Sequence, residues 1–245
     1  MPTLLFKDVG LVKGVGFDSW RRVGSAMQAV KVYNMREVDE LVFFDIAATP
    51  QRRRPDFEQI EDLARECFMP MTVGGGVRTI EDIAELLAVG ADKVAINTAA
   101  VETPELIGQG AERFGVQCIA VAIDVRRTGD GWEAFTRCGR ESTGLDPVEH
   151  ARRAESLGAG EIILTSIDRD GTMQGYDVAL VRRVAEAVRI PVVASGGAGS
   201  YADMADVLEG SCAAAVAAAS VYHFTEQTPR EAKLFLRERG IRVRL

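Results

Sequence analysis

Histidine is almost missing from this chain, and cysteine is sparse and scattered. His150 and His223 are the only imidazoles in 245 residues, far apart and flanked by helical sequence. A metal site normally draws three or four ligands from such side chains, so no metal is expected. Cys67, Cys118, Cys138 and Cys212 form no CxxC pair and no zinc-like spacing. That pattern excludes a disulfide scaffold and fits free thiols in a reducing compartment. No apolar run reaches the roughly twenty residues a membrane helix needs, and the alanine-rich stretch 213–220 is too short. No signal peptide is read at the start, so the expected location is the cytoplasm and no membrane partner is expected. A basic stripe is lacking too: the net charge is -7 and the densest cationic run, Arg52-Arg53-Arg54, is short and soon followed by acids. That run reads as a solvated loop, and nucleic acid is excluded as a partner. No low-complexity linker divides the chain, and nothing in it calls for a cofactor.

What the chain does have is repetition. Pro70-Met-Thr-Val-Gly-Gly-Gly76 lies 121 residues before Pro191-Val-Val-Ala-Ser-Gly-Gly197, and Leu41-Val-Phe-Phe-Asp-Ile46 lies 121 before Ile162-Ile-Leu-Thr-Ser-Ile167. Each glycine run ends an apolar strand and enters an amphipathic segment, Thr79 to Leu87 or Ser200 to Leu208. Short, near-continuously apolar runs suit parallel strands buried on both faces. They fall at 3–7, 41–46, 69–73, 93–97, 118–124, 161–167, 190–195 and 213–218. Helical patterns follow near 25–37, 56–67, 79–89, 103–113, 146–158, 177–188, 200–209 and 229–239. Eight alternating strand–helix units in a chain of this length predict an α/β fold, a single (β/α)₈ barrel domain over 1–245 with a two-fold half-barrel repeat. Gly129-Asp-Gly131 between two β-rich arms predicts a hairpin inserted at 125–140, after the fifth strand.

In such barrels the chemistry sits at the C-terminal ends of the strands. Two sets of phosphate-binding groups fall there: Gly74-Gly75-Gly76 with Asn97-Thr98, and Asp170-Gly171 with Gly196-Gly197 and Ala219-Ser220. Glycine lets backbone N–H groups approach a phosphate closely, and a helix start adds favourable partial charge. Two sets half a chain apart suit an elongated phosphorylated ligand. Asp45, Asp124, Asp168 and Asp170 are the acid/base candidates at strand ends. Asp124 stands out because it ends the apolar strand Cys118-Ile-Ala-Val-Ala-Ile-Asp124. Asp8 and Lys13 lie in the stretch after the first strand, read as a loop that Gly10, Gly14 and Gly16 free to move.

Val73-Gly-Gly-Gly76, Ile96-Asn-Thr98, Ala122-Ile-Asp124, Thr165-Ser-Ile-Asp-Arg-Asp-Gly-Thr172, Gly175-Tyr-Asp177 and Ala194-Ser-Gly-Gly-Ala198 together resemble the cyclase subunit of imidazole glycerol phosphate synthase. The resemblance runs from Leu11 to Leu245. It implies a barrel that docks a glutaminase on its N-terminal face as a heterodimer. Ammonia crosses the barrel to a bisphosphorylated ribulosyl nucleotide, which gives imidazole glycerol phosphate, a lyase-type reaction of histidine biosynthesis. By the same resemblance, one phosphate would meet Gly76, Asn97 and Thr98, and the other Asp170, Gly171, Gly197, Ala219 and Ser220. Asp124 matches a catalytic aspartate and Lys13 a lysine of the mobile first loop. Glu40, Lys93 and Glu161 match a charged gate at the barrel bottom, and Asp92 a residue facing the glutaminase.

Two departures qualify this likeness. The family's second catalytic aspartate ends the first strand, where this chain has Leu5 in Thr3-Leu-Leu-Phe-Lys-Asp8, and a leucine exchanges no proton. The gate's arginine also has no counterpart, so Lys93 is expected to pair with one acid at a time. Gly10-Leu-Val-Lys13 and Tyr33 to Asp45 look closer to the paralogues of surface-polysaccharide (lipopolysaccharide) gene clusters. Those pass ammonia to a sugar amidotransferase that forms acetamidino groups. The alternatives are a working cyclase in which Asp8 or Asp124 alone serves as acid/base, and a non-catalytic scaffold that activates a glutaminase.

Overall fold

The computed structural model describes residues 1–245. Eight parallel strands form its barrel: β1 (Thr3–Lys7), then, after a hairpin of β2 (Gly10–Val15) and β3 (Asp18–Gly24), β4 (Leu41–Asp45), β5 (Met71–Gly74) and β6 (Lys93–Ile96). The second half supplies β7 (Ile119–Thr128), then β8 (Gly131–Thr136) and β9 (Glu141–Ser142) of an inserted hairpin, and β10 (Glu161–Ser166), β11 (Val192–Ser195) and β12 (Ala215–Val216). Neighbours pair in parallel in the order β1-β4-β5-β6-β7-β10-β11-β12. A parallel bridge between Pro2 and Ala218 closes the ring, with Thr3 N–H donating to the Ala218 carbonyl at 2.9 Å.

The helices that follow the strands are α1 (Ala26–Met35), α2 (Phe57–Glu66), α3 (Ile80–Ala88), the one-turn α4 (Thr98–Glu102) and α5 (Glu105–Phe114). The second half adds α6 (Pro147–Ser156), α7 (Val178–Ala185), α8 (Tyr201–Gly210), the one-turn α9 (Ser220–Phe224) and α10 (Pro229–Glu238). Capping boxes begin α3 at Thr79 with Asp82 and α8 at Ser200 with Asp203. Each satisfies orphan N–H groups reciprocally. Gly90, Gly158 and Gly240 all take positive φ just past a helix and serve as C-terminal caps.

Strand alternation divides the apolar residues into two unequal stores. Side chains pointing out, such as Leu4, Phe6, Phe43, Ile162 and Leu164, join the helices in a core of 51 buried residues. Those pointing in form a separate cluster of only seven: Val42, Ala95, Ala120, Ala122, Ile163, Val193 and Ala217. Stability therefore resides mainly between sheet and helices. The axis of the barrel is lined by small side chains.

Two features differ from the sequence reading. The stretch after the first strand is not an irregular loop: β2 pairs antiparallel with β1 and β3 with β2, so Lys13 sits on an ordered hairpin. The short helices α4 and α9 were not foreseen, because one turn carries too little periodicity to register. In the second hairpin β7 continues to Thr128 and β8 returns from Gly131, pairing antiparallel with it.

Candidate functional site

At the C-terminal end of the barrel the inward positions are Leu5, Phe44, Gly74, Asn97, Asp124, Thr165, Ser195 and Ala217, and these floor the mouth. Asp124 and Phe44 line both of its cavities, which hold about 90 Å³ beside Gly76, Asn97 and Thr98, and about 50 Å³ beside Gly171, Gly197 and Ser220. Gly74 leaves room for the Phe44 ring, since a Cβ there would lie 2.8 Å from it. The glycine pairs are obligatory. Gly75 and Gly76 turn at φ +110 and +78, and Gly196 and Gly197 at +89 and +114. A Cβ on Gly197 would stand 2.1 Å from the Gly175 carbonyl, and one on Gly75 would stand 2.2 Å from that of Asp45.

Asp124 is the one carboxylate at the centre of the mouth. Asn97 Nδ2 donates to its Oδ2 at 3.2 Å and to the Ala122 carbonyl at 2.9 Å. Burial raises its pKa to about 7, and the nearby charge of Asp170 pushes the same way. Such a group holds and releases a proton near neutrality, which is what general acid/base catalysis requires. No second acid stands at the end of the first strand: Leu5, only 9% exposed, lines the cavity there, and the nearby Asp170 is paired to Lys13. Asp8 is not brought to the mouth. It lies exposed at the turn of the first hairpin with φ +56, its Oδ1 accepting from Gln51 Nε2 at 3.0 Å. Asp45 and Asp168 are occupied structurally. Asp45 accepts from the N–H groups of Ala47 and Ala48 and pairs with Arg53 at 2.6 Å, while Asp168 accepts from Arg127 N–H at 2.7 Å. Arg52-Arg53-Arg54 is accordingly more than a solvated loop, because Arg54 also pairs with Asp82 and Glu85.

The two hairpins roof the mouth crosswise. The hairpin after the first strand reaches over the second-half cradle: Lys13, 2% exposed, donates to both oxygens of Asp170 at 2.7 and 2.6 Å, and Gly16 N–H donates to the Asp170 carbonyl at 2.9 Å. The hairpin after the fifth strand reaches over the first-half cradle, where Arg137 N–H donates to Thr98 Oγ1 at 3.1 Å and Cys138 Sγ to the Ile46 carbonyl at 3.3 Å. Burial, helped by Asp124 and Asp45, raises the Cys138 thiol to about 12, so it faces the cavity as a neutral thiol. His223 in α9 is lowered to about 4, first by burial and then by Lys13, and is neutral at pH 7. Thr49, Phe44, Arg137 and Cys138 line or cover the site without having been singled out in the sequence. Only the insertion after the fifth strand hinted at the last two.

At the other end of the barrel, Lys93 Nζ donates to Glu40 Oε2 at 2.8 Å and to Glu161 Oε2 at 2.9 Å. The expectation that Lys93 would hold one acid at a time is thus corrected. An ammonium has three donors and reaches both carboxylates. Burial opposes the charge on Lys93, but the two carboxylate hydrogen bonds outweigh it and its pKa is raised. Burial raises Glu161 despite Lys93, and its Oε1 has no partner. Asp92 is exposed on the same face, its Oδ2 accepting from Met71 N–H at 2.8 Å.

A closed (β/α)₈ barrel whose glycine turns and central ionisable group meet at the C-terminal ends of the strands has the layout of a barrel enzyme. The family model described as histidine biosynthesis protein matches residues 2–228, and the chain belongs to that family, of isomerase- and cyclase-type barrel enzymes. No helix is long and apolar enough to cross a membrane.

Proposed function

We propose that this chain is the cyclase-type synthase subunit of a glutamine amidotransferase complex. In this reading it binds a phosphorylated ligand in the mouth and receives ammonia through the barrel from a glutaminase docked at the opposite face. The observation that carries the reading is the line of polar groups along the axis. At the bottom stand Glu40, Lys93 and Glu161, with a free oxygen on Glu161. Thr3 and Thr72, both buried with unpartnered hydroxyls, stand on inward positions above them, and Asp124 follows at the top. Between these groups the wall is alanine, valine and Ile163. Free ammonia in neutral water is mostly protonated, so an enclosed path to the acceptor has a chemical rationale.

Within that activity, the loss of the second acid favours the polysaccharide-type paralogue, which supplies ammonia for acetamidino-sugar formation, over a full cyclase. With Leu5 opposite, ring closure would rest on Asp124 alone. Purified protein, ammonium salt and the bisphosphorylated ribulosyl nucleotide test this directly. The wild type should turn over at least about a hundredfold more slowly than an ordinary two-acid cyclase. The Leu5→Asp change should raise that rate. Wild-type turnover at ordinary cyclase speed would instead make the chain a working histidine-pathway enzyme. Failure of the neighbouring glutaminase to co-elute with it, or to respond to it, would remove the ammonia path from the reading.

A further inference from the structure

The side chains that floor the mouth sort into two contiguous arcs. Ala217, Leu5, Phe44 and Gly74 stand on β12, β1, β4 and β5, which are neighbours in the closed ring. None of them offers a hydrogen bond from its side chain. Asn97, Asp124, Thr165 and Ser195 stand on β6, β7, β10 and β11, the other run of neighbours, and each carries a polar group. This strand order sets Leu5 across the ring from Asp124, and Phe44 across from Thr165. Phe44 gives the apolar arc its width. Its ring packs on the inward apolar cluster, covers Gly74, where a Cβ would lie 2.8 Å from it, and lines both cavities. Leu5 and Ala217 extend the same surface along the smaller cavity, which Asp124, Thr165 and Ser195 also line. The other charged groups lining the mouth are already paired, Lys13 with Asp170 at 2.6 Å and Asp45 with Arg53 at 2.6 Å. They leave the division of the floor intact.

We infer that the body of the ligand is a two-sided ring, a phosphorylated cyclic sugar whose C–H face lies on Phe44 and Leu5 and whose hydroxyls meet Asp124, Thr165 and Ser195. This rests on the reading that the mouth takes a phosphorylated ligand. A small-molecule site fixes orientation by setting a few placed polar groups against an apolar wall, and here the two stand on opposite sides. A ribofuranose suits such a space. Its hydroxyls at C2 and C3 share one face and leave C–H bonds on the other, which an aromatic ring accepts as apolar surface. An open-chain polyol does not suit it. In an extended chain of the same configuration successive hydroxyls point to alternate sides, so at least one is pressed against leucine or phenylalanine without a partner. The floor therefore selects ring over chain at equal carbon number and equal charge.

Calorimetric titration with ribose 5-phosphate and ribitol 5-phosphate makes the comparison, because the two share carbons and phosphate and differ in ring closure. Inorganic phosphate serves as the probe without a sugar body. Ribose 5-phosphate should bind at least about tenfold tighter than ribitol 5-phosphate, the factor that one unpartnered hydroxyl implies. Leu5→Asn places a hydrogen-bonding group of similar size on the apolar arc. It should bring the ratio to about twofold or less by improving the open chain. Phe44→Leu keeps the arc apolar and removes the ring. It should weaken ribose 5-phosphate about fivefold and move ribitol 5-phosphate less than about twofold. Inorganic phosphate should bind wild type and both variants within about twofold of one another. Ribitol 5-phosphate as tight as ribose 5-phosphate on the wild type, or a ratio that neither substitution moves, would overturn the inference and leave the mouth a site for phosphorylated ligands. Folded wild-type protein that binds none of the three would overturn the phosphorylated-ligand reading as well.

Discussion

Gly75-Gly76 and Gly196-Gly197 make the same positive-φ turns, each preceding a capping box and followed by a one-turn helix after the next strand. In the first half that turn is closed on itself through Thr49, Thr98 and Arg137. In the second it is left with a bare serine hydroxyl and a lysine delivered from the far half. Two copies of one backbone have thus acquired different chemistry through a handful of side chains and two insertions. The insertions are exchanged: each half's hairpin covers the other half's cradle. Asp124 stands at the boundary and belongs to both.

The largest effect is expected where the halves meet. Asp124→Asn keeps the shape of the side chain and removes the proton acceptor, so any ammonia-dependent turnover should fall by about 10² or more. The wild-type rate should show an apparent pKa near 7, lost in the variant. Stability should move the other way. Folded Asp124 keeps its proton up to about pH 7, whereas an unfolded aspartate releases it near 3.8. Its favourable neutral burial is fully present below about pH 3.8 and is lost as the pH rises through 7. Asparagine does not ionise, so at pH 8 the variant should be more stable than wild type by on the order of 2–4 kcal/mol, with a smaller gap at pH 5. Urea denaturation at both pH values reads this. A variant that is less stable at pH 8 would mean that Asp124 is held as a satisfied carboxylate.

A smaller effect belongs to the bottom of the barrel, where the halves join again through one lysine. Glu40 and Lys93 come from the first half and Glu161 from the second. Lys93→Met would leave two carboxylates facing one another, one of them 12% exposed. The expected cost is about 2 kcal/mol at pH 8, below the range for fully buried pairs because Glu40 is 30% exposed. It should shrink toward pH 4 as the acids take up protons. Urea midpoints across that range measure it, and a pH-independent loss would assign Lys93 a packing role only.

The barrel was legible because buried parallel strands have a strong apolar signal and because the 121-residue repeat reinforced each assignment. The cradles were legible because only glycine tolerates their φ values. What the sequence hid was the pairing of partners far apart in the chain. Nothing local to Lys13 announces Asp170, and nothing near Thr98 announces Arg137. Leu5 was the reverse case. Its place at the end of the first strand, set against the family's pattern, indicated that no acid stands there, and Asp8 was too far along the same strand's turn to replace it.

The smallest expected effect tests the exchange of hairpins itself. Arg21, on β3, lays its guanidinium 3.8 Å from the centre of the Phe224 ring at the end of α9, so the first hairpin is tied to the second-half cradle at its outer edge as well as through Lys13. Phe224 is 38% exposed, so the contact is partly solvated and worth about 0.5–1 kcal/mol. Arg21→Ala should barely move global stability, since the buried Lys13–Asp170 pair still holds the hairpin down. Local opening is where the loss should appear. Amide hydrogen exchange across 10–24 should accelerate about two- to fivefold, the factor that such an energy implies, while 125–142, which covers the other cradle, should be unchanged. Equal acceleration in both hairpins would mean that they open as one lid, and the independence of the two cradles would fail with it.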